Sequence, residues 1–320
     1  MLDSAKTFAE WLRRQDYRVI RTKSSWWYQP NKYVWQAFPY HWIIEPEEDE
    51  LMGLLKDTKS FGLRYSTSLK SKYGKLSYHA VYDSPDYGLS TLTHNNRHNV
   101  NRGLKRSQVK KTTFEELSGP GYALQIRTLR RQGRKLNVEK TKWEIMCLAA
   151  GELEGFEAWG AFVEGELAAS VITFQMNDCS YMLYQQCDER YLHKYVNNAL
   201  SFTVTKELVS RPNIKSILYG LHSLDAPSDI DEFKFRMGYR PRPVKQRVVF
   251  HPVISPLINN TTHTSLKIMT KLFPGQPFYA KLEGFVRFGL ESRLPFENQE
   301  LPAAFERSGM TKEDIEKAIS

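Results

Sequence analysis

Apolar and polar positions alternate most regularly between residues 156 and 250. Apolar runs at 156–163 and 167–176 are separated by Glu164-Gly165-Glu166, and a third run at 180–187 follows Asn177-Asp178. Short apolar runs joined by Gly or Asn-Asp turns predict consecutive antiparallel strands. From Val196 the period changes. Val196, Ala199, Leu200, Thr203, Val204 and Leu208 recur at the i, i+3, i+4 spacing of a helix with one buried face, and Pro212 closes it. A compact strand at 217–221 follows. In Pro227-Ser228-Asp229-Ile230-Asp231 a Ser stands three residues before a carboxylate, a pattern that caps a helix start, and Gly238 supplies a left-handed stop. A final run at 244–250 completes the order strand, strand, strand, helix, strand, helix, strand.

The flanking segments are less regular. A short helix is expected at 7–14. Trp26, Trp27, Tyr28, Tyr33, Trp35, Phe38, Tyr40 and Trp42 then crowd one segment, which fits strand and core packing, with stacking on a base or sugar as the alternative. Pro46 and an acidic first turn open a helix over 45–57 with Leu51, Leu54 and Leu55 on its buried face. Strands are expected at 61–68 and 76–83, and helical segments at 122–133 and 142–150. Beyond Pro252 the pattern predicts helices at 264–272 and 278–290. The second has Phe278, Leu282, Phe285, Val286 and Gly289 on one side and Lys281 and Arg287 on the other. Such a helix docks on its own core or lies on a membrane surface, and the first use is the commoner one.

Composition narrows the class. The 320 residues suffice for two domains, and 41% hydrophobic with 25% charged content is ordinary for a folded globular chain. A net charge of +9 points either to an anionic partner, such as a phosphorylated small molecule, tRNA or a membrane surface, or to a solvated basic surface. Cys147, Cys179 and Cys187 lack metal-ligand spacing and read as buried thiols, so no metal is expected. No stretch approaches the ~20 apolar residues of a membrane span, and the expected location is cytoplasmic.

The strand and helix order resembles the core of the GNAT superfamily of N-acyltransferases. The stretch 231–241, Asp-Glu-Phe-Lys-Phe-Arg-Met-Gly-Tyr-Arg-Pro, resembles that superfamily's helix-to-strand corner. Asn95-Asn96-Arg97-His98-Asn99-Val100-Asn101-Arg102-Gly103-Leu104-Lys105-Arg106 resembles a segment of the Fem-type branch, which attaches amino acids to peptidoglycan precursors. The resemblance implies an α/β (α+β) fold, a mixed, mostly antiparallel sheet flanked by helices. It also implies an N-terminal region that is a partner layer or a degenerate second copy. The expected division is residues 1–104, an acyltransferase core at 105–252 and a helical extension at 253–320. One feature departs from acetyl-CoA users: where they carry a Gly-rich pyrophosphate loop, this chain has Asp188-Glu189-Arg190-Tyr191-Leu192-His193-Lys194-Tyr195. Acyl-CoA, acetyl-CoA included, thus stands beside aminoacyl-tRNA as a possible donor.

Acyl transfer to an amine needs an oriented carbonyl and a donor for the oxyanion, but no nucleophilic side chain. The absence of a Gly-x-Ser-x-Gly elbow, a His-Glu-x-x-His pair and a P-loop is compatible with that chemistry and removes the core residues of hydrolases, metalloenzymes and kinases. The resemblance places the acyl group where the strand at 180–187 splays from that at 217–221. Tyr184, Gln185 and Gln186 end the first strand, and Asn197 and Asn198 open the next helix, making a donor-side set. His222 with Asp225 is a candidate base and its orienting carboxylate, and Tyr239 or Tyr219 a proton donor. Lys234 and Arg236 are candidate phosphate holders, while Arg97, Asn101 and Lys105 recur at helical spacing with Arg102 and Arg106 beside them, and Arg97, Arg102 and Lys105 are the candidates for an anionic substrate, the alternative being a solvated face. Arg127, Arg130 and Arg131 edge the implied acceptor groove. The expected function is transfer of an acyl or aminoacyl group to an amine; the alternative is a catalytically silent basic module that binds RNA or an anionic surface.

Overall fold

The computed structural model describes residues 3–133, 139–224, 231–273 and 276–317. Its strands are β1 (Val19–Arg21), β2 (Trp26–Asn31), β3 (Val34–Phe38), β4 (Gly62–Thr67), β5 (Lys75–Tyr82), β6 (Gln108–Thr112), β7 (Phe156–Val163), β8 (Glu166–Met176), β9 (Cys179–Cys187), β10 (Ser216–Leu221) and β11 (Arg240–Phe250). The helices used below are α1 (Ser4–Arg14), α2 (Glu48–Thr58), α3 (His94–Arg106), α4 (Phe114–Ser118), α5 (Pro120–Arg131), α6 (Lys140–Gly151), α7 (Val196–Val209), α8 (Glu232–Arg236), α9 (Asn260–Leu272) and α10 (Pro277–Glu291). The chain divides into two compact units. One contains Met1–Asp16, Ala80–Gly220 and Phe233–Arg240; the other contains Tyr17–His79, Leu221–Glu232 and Pro241–Ser320.

In the first unit the strand order is β10-β9-β8-β7-β6. β6 to β9 pair antiparallel, and β10 joins β9 in parallel. A parallel neighbour cannot be reached by a tight turn, so the chain crosses through α7. Val196, Leu200, Val204 and Leu208, all buried, pack with Trp159, Ala161, Val163 and Val171. On α1, Phe8 meets Phe156, Phe174 and Tyr181 at ring separations of 6.4, 5.2 and 6.1 Å. Full burial of a side chain like Phe8 contributes about 1.5–3 kcal/mol.

The basic stretch 97–111 is not one helix. α3 ends at Arg106, Ser107 turns extended, and Gln108–Thr112 forms the edge strand β6. Exposed Lys110 and Lys111 on that edge discourage pairing with another chain.

The second unit repeats the topology. β1, β2 and β3 form an antiparallel meander, α2 crosses, and β4 returns parallel to β3. β11 then pairs antiparallel with β4. The aromatic cluster lies mostly in strands and supplies part of the core: Trp27 and Trp35 are fully buried with Leu51, Leu54 and Leu55 of α2, whereas Tyr33 is exposed. α10 turns Phe285, Val286 and Phe288 onto Val248 and Phe250, so the helix expected at 278–290 docks on its own sheet. The proposed cap at Ser228 lies outside the described residues.

α3 and α7 cross at Gly103, where a β-carbon would collide with the Tyr195 carbonyl oxygen and lie 3.0 Å from the Ala199 β-carbon. Backbone cannot give way as a flexible side chain can. Gly103→Ala is therefore expected to cost about 1–3 kcal/mol of stability, measured by urea denaturation, although Ala favours the helix. Unchanged or increased stability would contradict this packing.

Candidate active site

The β9–β10 ladder is short. It runs Ser216↔Cys179, Ile217↔Ser180 and Leu218↔Tyr181, although β9 continues to Cys187 and β10 to Leu221. On the other side of β9 the register with β8 shifts between Ile172 and Thr173, leaving Leu183 as an extra residue. Such a bulge bends and twists its strand, and here it sits where the pairing with β10 ends. The two strands open into a V.

Side chains bridge this opening. The Tyr219 hydroxyl donates to Gln185 Oε1, and Gln185 Nε2 donates to Asn197 Oδ1 at 2.6 Å. Lys234 from α8 lies 5.3 Å from the centroid of the Tyr219 ring, and a β-carbon at Gly220 would stand 3.3 Å from its Nζ. Gln185, Asn197, Tyr219 and Lys234 thus come together. Tyr184 and Gln186 do not, because alternate residues of a strand face opposite ways. Tyr184 packs edge-on to Trp11 and Trp143, and buried Gln186 donates to Gln125 Oε1 at 2.8 Å and accepts from Ser170 Oγ at 3.0 Å. Asn198 Nδ2 contacts Met237 Sδ at 3.6 Å, and Arg236 points outward, exposed. Tyr239 is buried with its hydroxyl 2.9 Å from Thr205 Oγ1, and burial raises its pKa, so it supports the Tyr219 ring at 4.9 Å and is not a proton donor to solvent.

Where β9 leaves the V, Asp188 organises the exit. Its carboxylate is 0% exposed and accepts from Arg127 Nη1, from Arg190 Nε and Nη2 at 3.0 and 2.9 Å, and from the Arg190 amide at 2.9 Å. Burial raises its pKa, but the hydrogen bonds from Arg190 and the charge of Arg127 outweigh this and hold the carboxyl below its usual range. Arg131 Nη1 donates to the Cys187 carbonyl at 3.2 Å, and Thr128 accepts from the Cys187 amide at 3.1 Å. Arg127 and Arg131 therefore pin α5 to the end of β9. Asp188 carried no sequence signal for this role, since its partner Arg127 is remote in the chain.

The basic helix α3 spends most of its charges locally. Arg97 donates to the carbonyls of Leu89 at 3.0 Å and Leu92 at 3.3 Å, Arg102 lies 4.9 Å over the Tyr195 ring, and Arg106 reaches the His193 carbonyl at 3.3 Å. Lys105 lines a shallow depression of ≈ 530 Å³ in which Glu116 and Glu164 alternate with Arg106 and Lys110. Mixed signs there do not select an anion, and Arg97, Arg102 and Lys105 do not converge on one point.

His222 belongs to the second unit. Its ring lies parallel to Tyr78 at 4.5 Å, its Nδ1 is 3.2 Å from Ser77 Oγ, and its carbonyl accepts from Arg64 Nη2 at 2.6 Å. Burial, then the positive charge of Arg64, pushes the ring down to about 3. It is neutral and weakly basic at pH 7, which does not fit a base titrating near its ordinary value. Asp225 lies outside the described residues. In the same unit the parallel pairing of β3 with β4 also ends early, at Gln36↔Arg64, but that gap is filled: the Ile44 amide donates to the Ser66 carbonyl at 3.0 Å.

The chain with these two units is similar to several solved structures. The crystal structure of FemX is similar at a TM-score of 0.55 and 12% identity, covering 78% of this chain and 92% of its own. L-PGS from Bacillus licheniformis is similar at 0.50 and 12%, covering 86% and 97%. A conserved protein of unknown function from Bacteroides thetaiotaomicron matches at 0.50 and 9%, covering 77% and 89%. This chain shares its fold with FemX and L-PGS. No protein-family model matches the sequence, and no curated protein matches it by sequence. Within this fold the open V of the first unit is the candidate site. Among the described residues no group of His, Cys, Asp or Glu is arranged to hold a metal ion.

Two outcomes follow for titratable groups. Because the Asp188 carboxyl titrates below its unfolded value, its stabilisation is complete above that value and is lost as pH falls through the folded one. Asp188→Asn should cost on the order of 2 kcal/mol at neutral pH in urea denaturation, and the gap to the parent should narrow in acid. A gap independent of pH would contradict the charge network. The His222 ring carbons should show no NMR titration between about pH 5 and 8; a midpoint in that window would restore His222 as a candidate base.

Proposed function

We propose that this chain is an N-acyltransferase that moves an acyl or aminoacyl group from an activated carrier to an amine, with the V between β9 and β10 as its donor site. The observation that carries this reading is the early end of the β9–β10 ladder beside the Leu183 bulge, which leaves the β10-facing edge of β9 without a ladder partner in β10 after Tyr181. A carbonyl laid along that edge finds backbone donors for the negative charge that develops on its oxygen. Lys234 adds positive charge at the mouth of the same opening.

The amine attacks as the free base and its proton leaves to solvent, because the neutral, weakly basic His222 ring is poorly suited to take it. Tyr219 is the group placed to return a proton to the leaving atom, with Gln185 and Asn197 fixing its hydroxyl. An aminoacyl ester is favoured over acyl-CoA as donor. The segment Glu189–Lys194 is a 3-10 turn without glycine, and Gly103 packs against the Tyr195 backbone that precedes α7, so the usual close cradle for a pyrophosphate is absent from this turn. The acceptor is an amine on an anionic molecule, in keeping with the net charge of +9.

Transfer assays with acetyl-CoA, longer acyl-CoAs and aminoacyl-tRNA, read by mass spectrometry of the amine product, test the reaction. Gln185→Trp should abolish donor binding by filling the V, and Tyr219→Phe should lower turnover by about 10²-fold or more with donor affinity retained. Donor binding that survives Gln185→Trp would move the site elsewhere. Binding of RNA without turnover from any donor would leave a non-catalytic module.

A further inference from the structure

The α9 and α10 pair carries an apolar surface that the proposed transfer reaction does not use. α9 faces its own unit through Leu266, which packs on the Val248 and Phe250 cluster, and through His263, whose Nε2 is 2.8 Å from Glu283 Oε1 on α10. Ile268 and Leu272 are one helical turn apart, and at ~100° per residue they project from the side roughly opposite to Leu266. They are 53% and 65% exposed. Just beyond stand Phe273 and Phe278, 46% and 61% exposed, each with its ring 5.6 Å from that of Tyr279. Scattered exposed apolar residues are normal, but four large ones beside one aromatic cluster make a patch.

The charges around the patch have one sign. Lys267 and Lys271 lie a turn apart on α9, beside Ile268 and Leu272, and Lys281 stands in the first turns of α10. All three are exposed and have no carboxylate partner among the described residues. The sequence from His251 to Leu282 contains no Asp or Glu. Lysines at the border of an exposed apolar strip can keep their ammonium groups in water beside lipid phosphates while the strip enters the acyl boundary, and aromatic rings favour that depth. A protein partner offers no such uniform negative layer around an apolar interior.

We infer that this surface of α9 and the start of α10 docks on a bilayer containing anionic phospholipid, with Ile268, Leu272, Phe273 and Phe278 inserting and Lys267, Lys271 and Lys281 contacting the headgroup phosphates. Shallow insertion of four side chains gives reversible attachment, which suits an enzyme that must exchange a soluble donor. Insertion supplies the apolar part of the affinity, and the lysines make it dependent on lipid charge and on salt.

The full chain is to be sedimented with vesicles of phosphatidylcholine and with vesicles of phosphatidylcholine and phosphatidylglycerol in equal parts. Binding is expected to the mixed vesicles and to weaken with salt. Replacing Lys267, Lys271 and Lys281 with Ala should reduce it at least about tenfold and flatten the salt dependence. Replacing Leu272, Phe273 and Phe278 with Ser should abolish it without lowering the thermal midpoint, since these side chains are exposed. A Leu272→Trp variant should be quenched by lipids brominated on the acyl chain, which reports insertion directly. Equal binding by parent and both triple variants would overturn the proposal. So would a parent that ignores vesicles and forms a dimer that the Ser variant dissolves, or one that binds tRNA through these lysines and no vesicle.

Discussion

The early end of the β9–β10 ladder governs the first unit. A parallel pair fed by a crossing helix could zip along the whole of β9, burying its edge; the Leu183 bulge and the exit at Asp188 prevent this. The buried carboxylate accepts from both Arg127 and Arg190 at Oδ2, and Arg131 and Thr128 secure the preceding Cys187, so the departing chain is tied to α5. The equivalent place in the second unit shows the alternative. After β3 the chain folds back, Ile44 ties to Ser66, and Trp42 and Ile44 join the core around Trp35. One copy of the topology keeps a gap bridged by side chains, which a ligand can displace, and the other closes it with backbone.

Much of this fold was legible because its elements obey strong local rules. The three strands at 156–187 and the helix from Val196 have clean periods of two and 3.6, and their bounds agree within a residue or two with β7, β8, β9 and α7. The Gly-poor segment after β9 was visible as a departure and became a 3-10 turn. The helical spacing read from Arg97 to Arg106 is the helix α3, but the edge strand that follows Ser107 was not anticipated, because Gln108–Thr112 is short and mostly polar.

The site was half legible. Gln185, Asn197 and Lys234 could be placed from strand order, but grouping Tyr184 and Gln186 with Gln185 ignored the alternation that sends them to the Trp143 side. His222 illustrates a different limit. Its neighbours in sequence, Leu221 and Ser223, are one apolar and one polar, and nothing local announces the Tyr78 ring, the Ser77 hydroxyl or the Phe288 ring 5.9 Å away that take it out of water. Burial by remote segments decides a pKa, and remote segments are what a single sequence does not align.

The same reasoning changes what the positive charge means. A net charge of +9 and a run of arginines on α3 suggested one anionic binding face, yet Arg97, Arg102 and Arg106 are committed to carbonyls and a ring, stabilising turns that carry no formal charge of their own. Cations spent in this way still contribute to the long-range field but have less freedom to meet a phosphate. Lys267, Lys271 and Lys281 on α9 and α10 are exposed, without a carboxylate partner among the described residues and close to exposed apolar side chains. Composition therefore gives only the sign of the partner that would be attracted. Which cations are free to meet such a partner depends on which guanidinium and ammonium groups the fold has already satisfied, and by that criterion the proposed anionic contact rests on Lys267, Lys271 and Lys281 more than on the arginine-rich helix.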